Sequence, residues 1–451
     1  MKYYSTNRKV PEVTLADALM LGQAGDKGLF MPRPMPSLSK ELLKKAKDLS
    51  YPALAVEILK PYTEGVFGQK ELEEICFDAY NYEVPLEQVD GNRYVMRLDR
   101  GPTASFKDFA ARFMGRAIGR LVKAANKELL ILTATSGDTG SAVAGAFLGV
   151  EGIRVLVLFP TAEVSDRQRK QMTTLRGNVS AIGLPGKFDD CQALVKQAFS
   201  DPDLTSLHLS SANSINIGRL LPQSVYYTYA ASRLADIGGG EQVIFSVPSG
   251  NFGDMMGGIL ALHTGLPISK FIIATNANDE VPRFFDTGVY AKIAPSRVCI
   301  SNAMNVGHPS NLVRLVDLYG GRMDEKGALL ETPDMDKMRR DIFAVSIPDS
   351  ETRDTIADVY EKFKVVLEPH GAVGWAGLMR WFDAHPDDKH TAISLETAHP
   401  AKFPDEIKKV VGKEPDAPLS LLEVEQKPEH YDTIEVRYDA FKQYLMEKYA
   451  K

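Results

Sequence analysis

The stretch LLILTATSGDTGSAVAGAFLG, residues 129–149, decides the fold. It opens on LLILTA, a run that is apolar apart from one threonine. A run apolar throughout, rather than alternating with polar residues, suits a parallel strand covered by helices on both faces. The chain then breaks into small and polar residues, TSGDTG, and resumes as the helix-like SAVAGAFLG. The same order recurs. RVLVLFP at 154–160 leads into EVSDRQRKQMTTL, and VSAIGLPG at 179–186 leads into FDDCQALVKQAF. VIFSVP at 243–248 runs through SGNFGD into MMGGILALHTG, and FIIATN follows at 271–276. Repeated strand–loop–helix units imply an α/β fold with open, mostly parallel sheets flanked by helices and joined by right-handed crossovers. Such sheets bind ligands where strand ends meet helix N-termini. Two lobes with the site between them are expected.

Working outward, residues 1–90 form a mixed, largely helical N-terminal region. Residues 91–220 are assigned to a smaller α/β lobe and 221–451 to a larger one. Residues 279–350 look irregular, with Pro and Gly scattered through PRFFDTG and VGHPSN, and the tail closes on a helix-like YDAFKQYLMEKYAK. Among 451 residues, 53 Lys and Arg face 59 Asp and Glu, a net charge of −6 with no basic domain, which argues against a nucleic-acid partner. No apolar run reaches the roughly 18 residues that span a bilayer, so no membrane partner is expected. The three cysteines, Cys76, Cys191 and Cys299, are widely spaced and form no CxxC, which fits a reduced, cytoplasmic protein. There is no GxxxxGK[ST], no GxGxxG after a strand, no GxSxG and no HExxH. A protein-held catalytic metal is therefore not expected.

Four loops remain. In Thr135-Ser136-Gly137-Asp138-Thr139-Gly140, small residues let backbone N–H groups face outward at a helix N-terminus, a geometry suited to carboxylate or phosphate. Pro248-Ser249-Gly250-Asn251-Phe252-Gly253-Asp254 has the same placement, and Gly250 and Gly253 permit close backbone approach. Either loop is equally compatible with a tight βα turn, the first with Asp138 or Thr139 as helix cap. In GPTASFKDF at 101–109, Lys107 would begin a helix carrying Phe109, Phe113, Ala117 and Leu121 on one apolar face. A cation there is disfavoured, and with partial burial the amine shifts toward its neutral, nucleophilic form. A surface lysine beside a capping Asp108 is the plainer reading. Asn213-Ser214-Ile215-Asn216-Ile217-Gly218-Arg219 packs polar side chains around an arginine suited to phosphate or carboxylate.

Taken together, these pieces resemble the threonine synthase family of pyridoxal-phosphate enzymes, fold type II. The resemblance runs from YYSTNRKVPEVTLADALMLGQAGDKGLFMP at 3–32 through GPTASFKDF, TSGDTG, SANSINIGR and PSGNFGD to ETAHPAKF at 396–403. One departure is Lys27, where the family often has a second glycine. The resemblance implies pyridoxal 5'-phosphate as cofactor and Lys107 as the catalytic, Schiff-base lysine in the smaller lobe. Ser249, Gly250, Asn251, Phe252 and Gly253 would hold the cofactor phosphate in the larger lobe, and Thr397 would face the pyridine nitrogen. Thr135, Ser136, Gly137, Asp138 and Thr139 would hold the substrate carboxylate. Asn213, Ser214 and Arg219 would bind the substrate's own phosphate, with Thr139 close by. The implied reaction is O-phospho-L-homoserine plus water giving L-threonine and phosphate, with the chain a monomer or homodimer.

Two rivals predict different behaviour. A serine/threonine dehydratase or another fold-type-II relative shares Lys107 and a glycine loop but needs no site for a substrate phosphate. A non-catalytic α/β protein that binds anionic metabolites would be colourless when pure.

Overall fold

The computed structural model describes residues 1–450. Two sheets organise it. The larger has six strands in the order Ile342–Ser346, Ile268–Thr275, Val243–Pro248, Thr391–Glu396, Arg93–Arg97 and Leu86–Asp90. All neighbours are parallel except the last pair, a hairpin. The smaller is wholly parallel, in the order Asp432–Thr433, Val179–Leu184, Ile153–Pro160, Leu129–Ala134 and Leu209–Ser211. Every residue of Leu129–Ala134 and of Val243–Pro248 is buried. Helices cover both faces, so an uninterrupted apolar run is what each strand needs. Each Val, Leu or Ile so buried contributes ~1.5–3 kcal/mol relative to exposure.

Three layers of core follow. The main cluster joins the inner faces of both sheets to the N-terminal helices Leu15–Leu21, Tyr51–Thr63 and Gln69–Ala79. A second cluster lies under Asp349–Phe363, Pro369–Ala384 and Pro404–Val411 on the other face of the larger sheet. A third lies under Phe188–Phe199 and the C-terminal Tyr438–Tyr449 on the smaller sheet. The N-terminal region also contributes a two-stranded ribbon, Lys2–Ser5 with Phe30–Arg33. No helix among the described residues is long and apolar enough to cross a membrane.

The lobes do not follow the consecutive segments 1–90, 91–220 and 221–451. The hairpin 86–97 pairs with Thr391–Glu396 in the larger sheet, although it precedes the smaller lobe in sequence. The strand Asp432–Thr433 and the terminal helix pack on the smaller one, although they follow the larger. Residues 279–350 are less irregular than they read: they hold the helices Glu280–Thr287, Leu312–Leu318 and Met335–Asp341 and the edge strand Ile342–Ser346. That strand, IFAVS, is an apolar run like the central strands, but at the sheet edge only its first residue is fully buried.

The family departure at Lys27 acquires a physical meaning. Its backbone is left-handed, with φ 65°, and its side chain is exposed. The left-handed region costs a non-glycine residue ~1–2 kcal/mol, part of which glycine returns through its freer unfolded chain. Lys27→Gly is expected to raise stability by about 0.5–1 kcal/mol net, read as a higher thermal midpoint with unchanged activity. A lower midpoint would contradict the assignment of strain.

Candidate active site

The helix Lys107–Ala125 starts directly at the lysine, with Phe106 as its N-terminal flank and no side-chain cap. Its start is sewn to the segment after strand Thr391–Glu396. Phe106 N donates to Thr397 O at 2.9 Å, and His399 N donates to Ala104 O at 3.0 Å. Asp108 does not cap this helix. Its buried carboxylate turns back to accept Thr103 N at 2.8 Å and Thr103 Oγ1 at 2.7 Å, closing the GPTAS turn. Lys107 is thereby fixed on the wall of a cavity between the two sheets. Although partly open to that cavity, its ammonium is desolvated by the surrounding protein. Burial lowers its pKa to about 8; Arg219 and Lys402 push the same way, while Asp138 and Asp254 oppose them.

The turn after Leu129–Ala134 is organised by Thr135, whose Oγ1 accepts Gly137 N at 2.9 Å and Gly140 N at 2.8 Å. Gly137, not Asp138 or Thr139, flanks the helix Asp138–Phe147. Its φ is +129°, and a Cβ there would lie 2.5 Å from the Gln168 side chain, so only glycine serves. Asp138 is buried, and its Oδ1 accepts Gln168 Nε2 at 3.0 Å and Lys402 Nζ at 2.9 Å. Burial works against its charge, but Lys402, Lys107 and His370 prevail and hold its carboxyl well below the usual range.

The loop 213–219 is held from three sides. Asn213 Nδ2 donates to Ala134 O at 2.8 Å, and the buried Asn216 donates to Leu19 O and Ser211 O. The fully buried Arg314 donates to Ser214 O at 3.0 Å and Ile215 O at 2.7 Å. Arg219 donates through Nη1 to Ala212 O at 2.8 Å. Its Nε is buried without a partner among the described residues. Burial lowers its pKa to about 10, which leaves it a cation near neutrality.

The glycine loop after Val243–Pro248 turns through Phe252 in the left-handed conformation, φ 63°, into the helix Gly253–His263. Ser249 Oγ donates to Val247 O at 2.9 Å. A Cβ on Gly250 would stand 2.8 Å from Ala303 O and 3.0 Å from Met304 Cα, so backbone passes here where a side chain cannot. Asn251 O accepts Asn311 Nδ2 at 2.9 Å. Thr397 Oγ1 donates to Glu368 Oε1 at 3.2 Å.

All the residues expected at the site line this one cavity except Gly137, which lies behind it against Gln168. The sequence reading missed several others. His370 pairs with Glu368 through Nδ1 and accepts Ala303 N at Nε2, 3.1 Å. Asp254 Oδ1 accepts Tyr226 and Tyr227 hydroxyls at 2.6 and 2.7 Å, while Oδ2 has no partner. Burial raises its carboxyl pKa to about 6. His370 and Glu368 open a helix and read as ordinary polar residues there; only Asp254, within PSGNFGD, had a local signal.

The unpartnered, buried Arg219 Nε, Asn213 Oδ1, Gln223 Oε1 and Asp254 Oδ2 all belong to residues on this wall. Buried polar atoms rarely stay unsatisfied, so the cavity is built for a polar ligand. A desolvated lysine beside a glycine cradle at a helix N-terminus suits an aldehyde cofactor bearing a phosphate.

Fold and site together define a pyridoxal-phosphate enzyme, and the family described as pyridoxal-phosphate dependent enzyme matches residues 82–395. Threonine synthase N-terminus and C-terminal families match residues 2–80 and 371–445. The chain belongs to the threonine synthase family. It is 37% identical to threonine synthase of Haemophilus influenzae over 99% of this chain and 100% of that one. Among solved structures it is similar to PLP-bound threonine synthase from Brucella melitensis, with a TM-score of 0.91, 34% identity and full coverage of both chains. It is also similar to threonine synthase from Escherichia coli, with a TM-score of 0.89 and 35% identity over 99% of this chain and 100% of that one. Pyridoxal phosphate is its cofactor and its chemistry is that of a lyase.

Proposed function

We propose that the chain converts O-phospho-L-homoserine and water into L-threonine and phosphate, with Lys107 as the proton-moving base. The observation that supports this reading is one cavity holding Lys107 and three candidate anion-binding sets, the glycine loop 249–253, the turn 135–139 and the group Asn213, Ser214 and Arg219, one more than a cofactor phosphate and a substrate carboxylate need. Gly250, Asn251, Phe252 and Gly253, with Ser249, would hold the cofactor phosphate at the start of Gly253–His263, Lys107 would join its aldehyde, and Thr397 would stand at its ring nitrogen. Once bound, the cofactor supplies an electron sink that acidifies the C–H bonds beside the substrate amine.

The protein's own groups do the rest. The turn 135–139 orients the substrate through its carboxylate. Lys107, freed when the substrate amine replaces it, takes protons from Cα and Cβ and returns them to Cγ, once the phosphate has left, and to Cα, once water has added. Arg219, Asn213 and Ser214 hold the substrate phosphate and stabilise the charge it gains as it leaves Cγ. Water then adds at Cβ. A dehydratase would have no use for the third set, Asn213, Ser214 and Arg219. The three cysteines are free and buried, and we place the reaction in a reduced cytoplasm.

The deciding experiment measures inorganic phosphate release from O-phospho-L-homoserine and identifies the amino-acid product. Ammonia and a keto acid in place of threonine would overturn the reading.

The lowered pKa of Lys107 gives a pH prediction for cofactor uptake. Only the neutral amine reacts with an aldehyde, and with a pKa of about 8 roughly one lysine in ten is neutral at pH 7. The rate at which cofactor-free protein develops visible absorbance on mixing with pyridoxal phosphate should rise about tenfold per unit below this value and level off above about 8. A rise that continues to pH 10 would show that the lysine is not desolvated.

A further inference from the structure

The turn proposed for the substrate carboxylate already contains a carboxylate. Asp138 follows Gly137 at the first position of its helix, is buried, and lies on the cavity wall within the electrostatic reach of Lys107. Unneutralised, it would repel a second carboxylate arriving at the same turn, and like charges forced together in a desolvated site cost several kcal/mol. The neutralising charge comes from the other lobe. Lys402 ends the short 3-10 turn Pro400–Lys402 that follows strand Thr391–Glu396, and its side chain is fully buried. Its Nζ lies 2.9 Å from Asp138 Oδ1, 264 residues away in the chain. Gln168 Nε2 supplies a second donor to that oxygen.

We propose that Lys402 is a specificity-determining residue that acts through Asp138: its charge cancels the carboxylate within the turn, so that the turn accepts the carboxylate of an amino-acid substrate. Two features support this over a purely structural ion pair. A buried pair of this kind rarely improves stability over apolar packing of the same volume. This one also stands at the cavity wall, joining the turn to the segment that carries Thr397. The inference rests on the reading of turn 135–139 as the carboxylate site.

The test uses holoenzyme and two probes, L-homoserine and 3-aminopropan-1-ol, which is the same molecule without its carboxylate. Binding is read from the change in visible absorption of the bound cofactor, with no turnover required. The wild-type enzyme should prefer L-homoserine. Lys402→Met should lose about 10²-fold of that preference while leaving the amine's affinity within a few-fold. Asp138→Asn/Lys402→Met, which removes both charges, should recover most of it.

A wild-type enzyme that does not distinguish the probes would overturn the carboxylate-turn reading and this proposal with it. A wild-type preference that survives in Lys402→Met would overturn the proposal alone. A double variant as impaired as the single would do the same, because it would show Lys402 acting by packing rather than charge. Should Lys402→Met not fold, Asp138→Asn decides. It leaves an uncompensated cation and should strengthen the preference for L-homoserine, and an unchanged or weaker preference would overturn the proposal.

Discussion

Replacing Lys107 with alanine is expected to lower threonine formation by at least about 10³-fold, the upper part of the range for a positioned acid–base group. In the proposed mechanism the same lysine is attachment point and proton carrier, so its loss would remove two functions. Folding should survive. The helix start is held by backbone bonds from Phe106 to Thr397 and from His399 to Ala104, and Asp108 closes the preceding turn onto Thr103. None of these uses the lysine side chain, and removing a desolvated ammonium relieves a cost rather than adding one. The variant should therefore unfold at a temperature close to wild type, retain no cofactor after borohydride treatment, and release no phosphate. Threonine formation near the wild-type rate would show that another group moves the protons.

Arg219→Ala should lower kcat/KM by about 10²–10³-fold, or about 3–4 kcal/mol, within the ~2–5 kcal/mol lost when one partner of a buried charge pair is removed. The loss should fall on kcat as well as KM, because the phosphate gains charge as it departs and Arg219 would then be most needed. The visible band of the bound cofactor should not change, since the cradle proposed for the cofactor, Gly250 to Gly253, is separate from Arg219. Arg219→Lys should restore part of the rate, as a point charge without the guanidinium fork. Near-native kcat/KM in the alanine variant would favour a relative that handles no substrate phosphate. A lost cofactor band would instead place Arg219 at the cofactor.

Much of this architecture was legible where a local pattern carries the information. Leu129–Ala134 and Val243–Pro248 are buried at every position, and their sequences are apolar throughout. The glycine-bearing loops lie between strand and helix because small residues and left-handed backbone are needed there, and those needs are written locally. What depends on distant partners was not legible. Ile342–Ser346 is itself an apolar run, but a strand-sized run alone does not tell a sheet edge from a buried helix segment, and its place beside Ile268–Thr275 is set by that distant partner. Nothing within 86–97 says that this hairpin pairs with Thr391–Glu396. Gly137 was expected at the ligand because it sits in TSGDTG; the side chain it must avoid, Gln168, belongs to a different helix. Lys402 lies within the motif ETAHPAKF, but its pairing with Asp138 is visible only once the lobes are assembled.

The interleaved strand order has a consequence for how the chain is made. Thr391–Glu396 fills the gap between Val243–Pro248 and the hairpin 86–97, so the larger sheet stays divided until residue 396 has been synthesised. The smaller sheet waits longer still, for Asp432–Thr433 and the helix that covers it. Domains generally fold as they emerge from the ribosome, N-terminal first; here neither lobe is a contiguous stretch that can do so. Nascent chains will therefore carry unpaired apolar strand edges until these late strands emerge. Truncation near the C-terminus should yield aggregates rather than a smaller working enzyme.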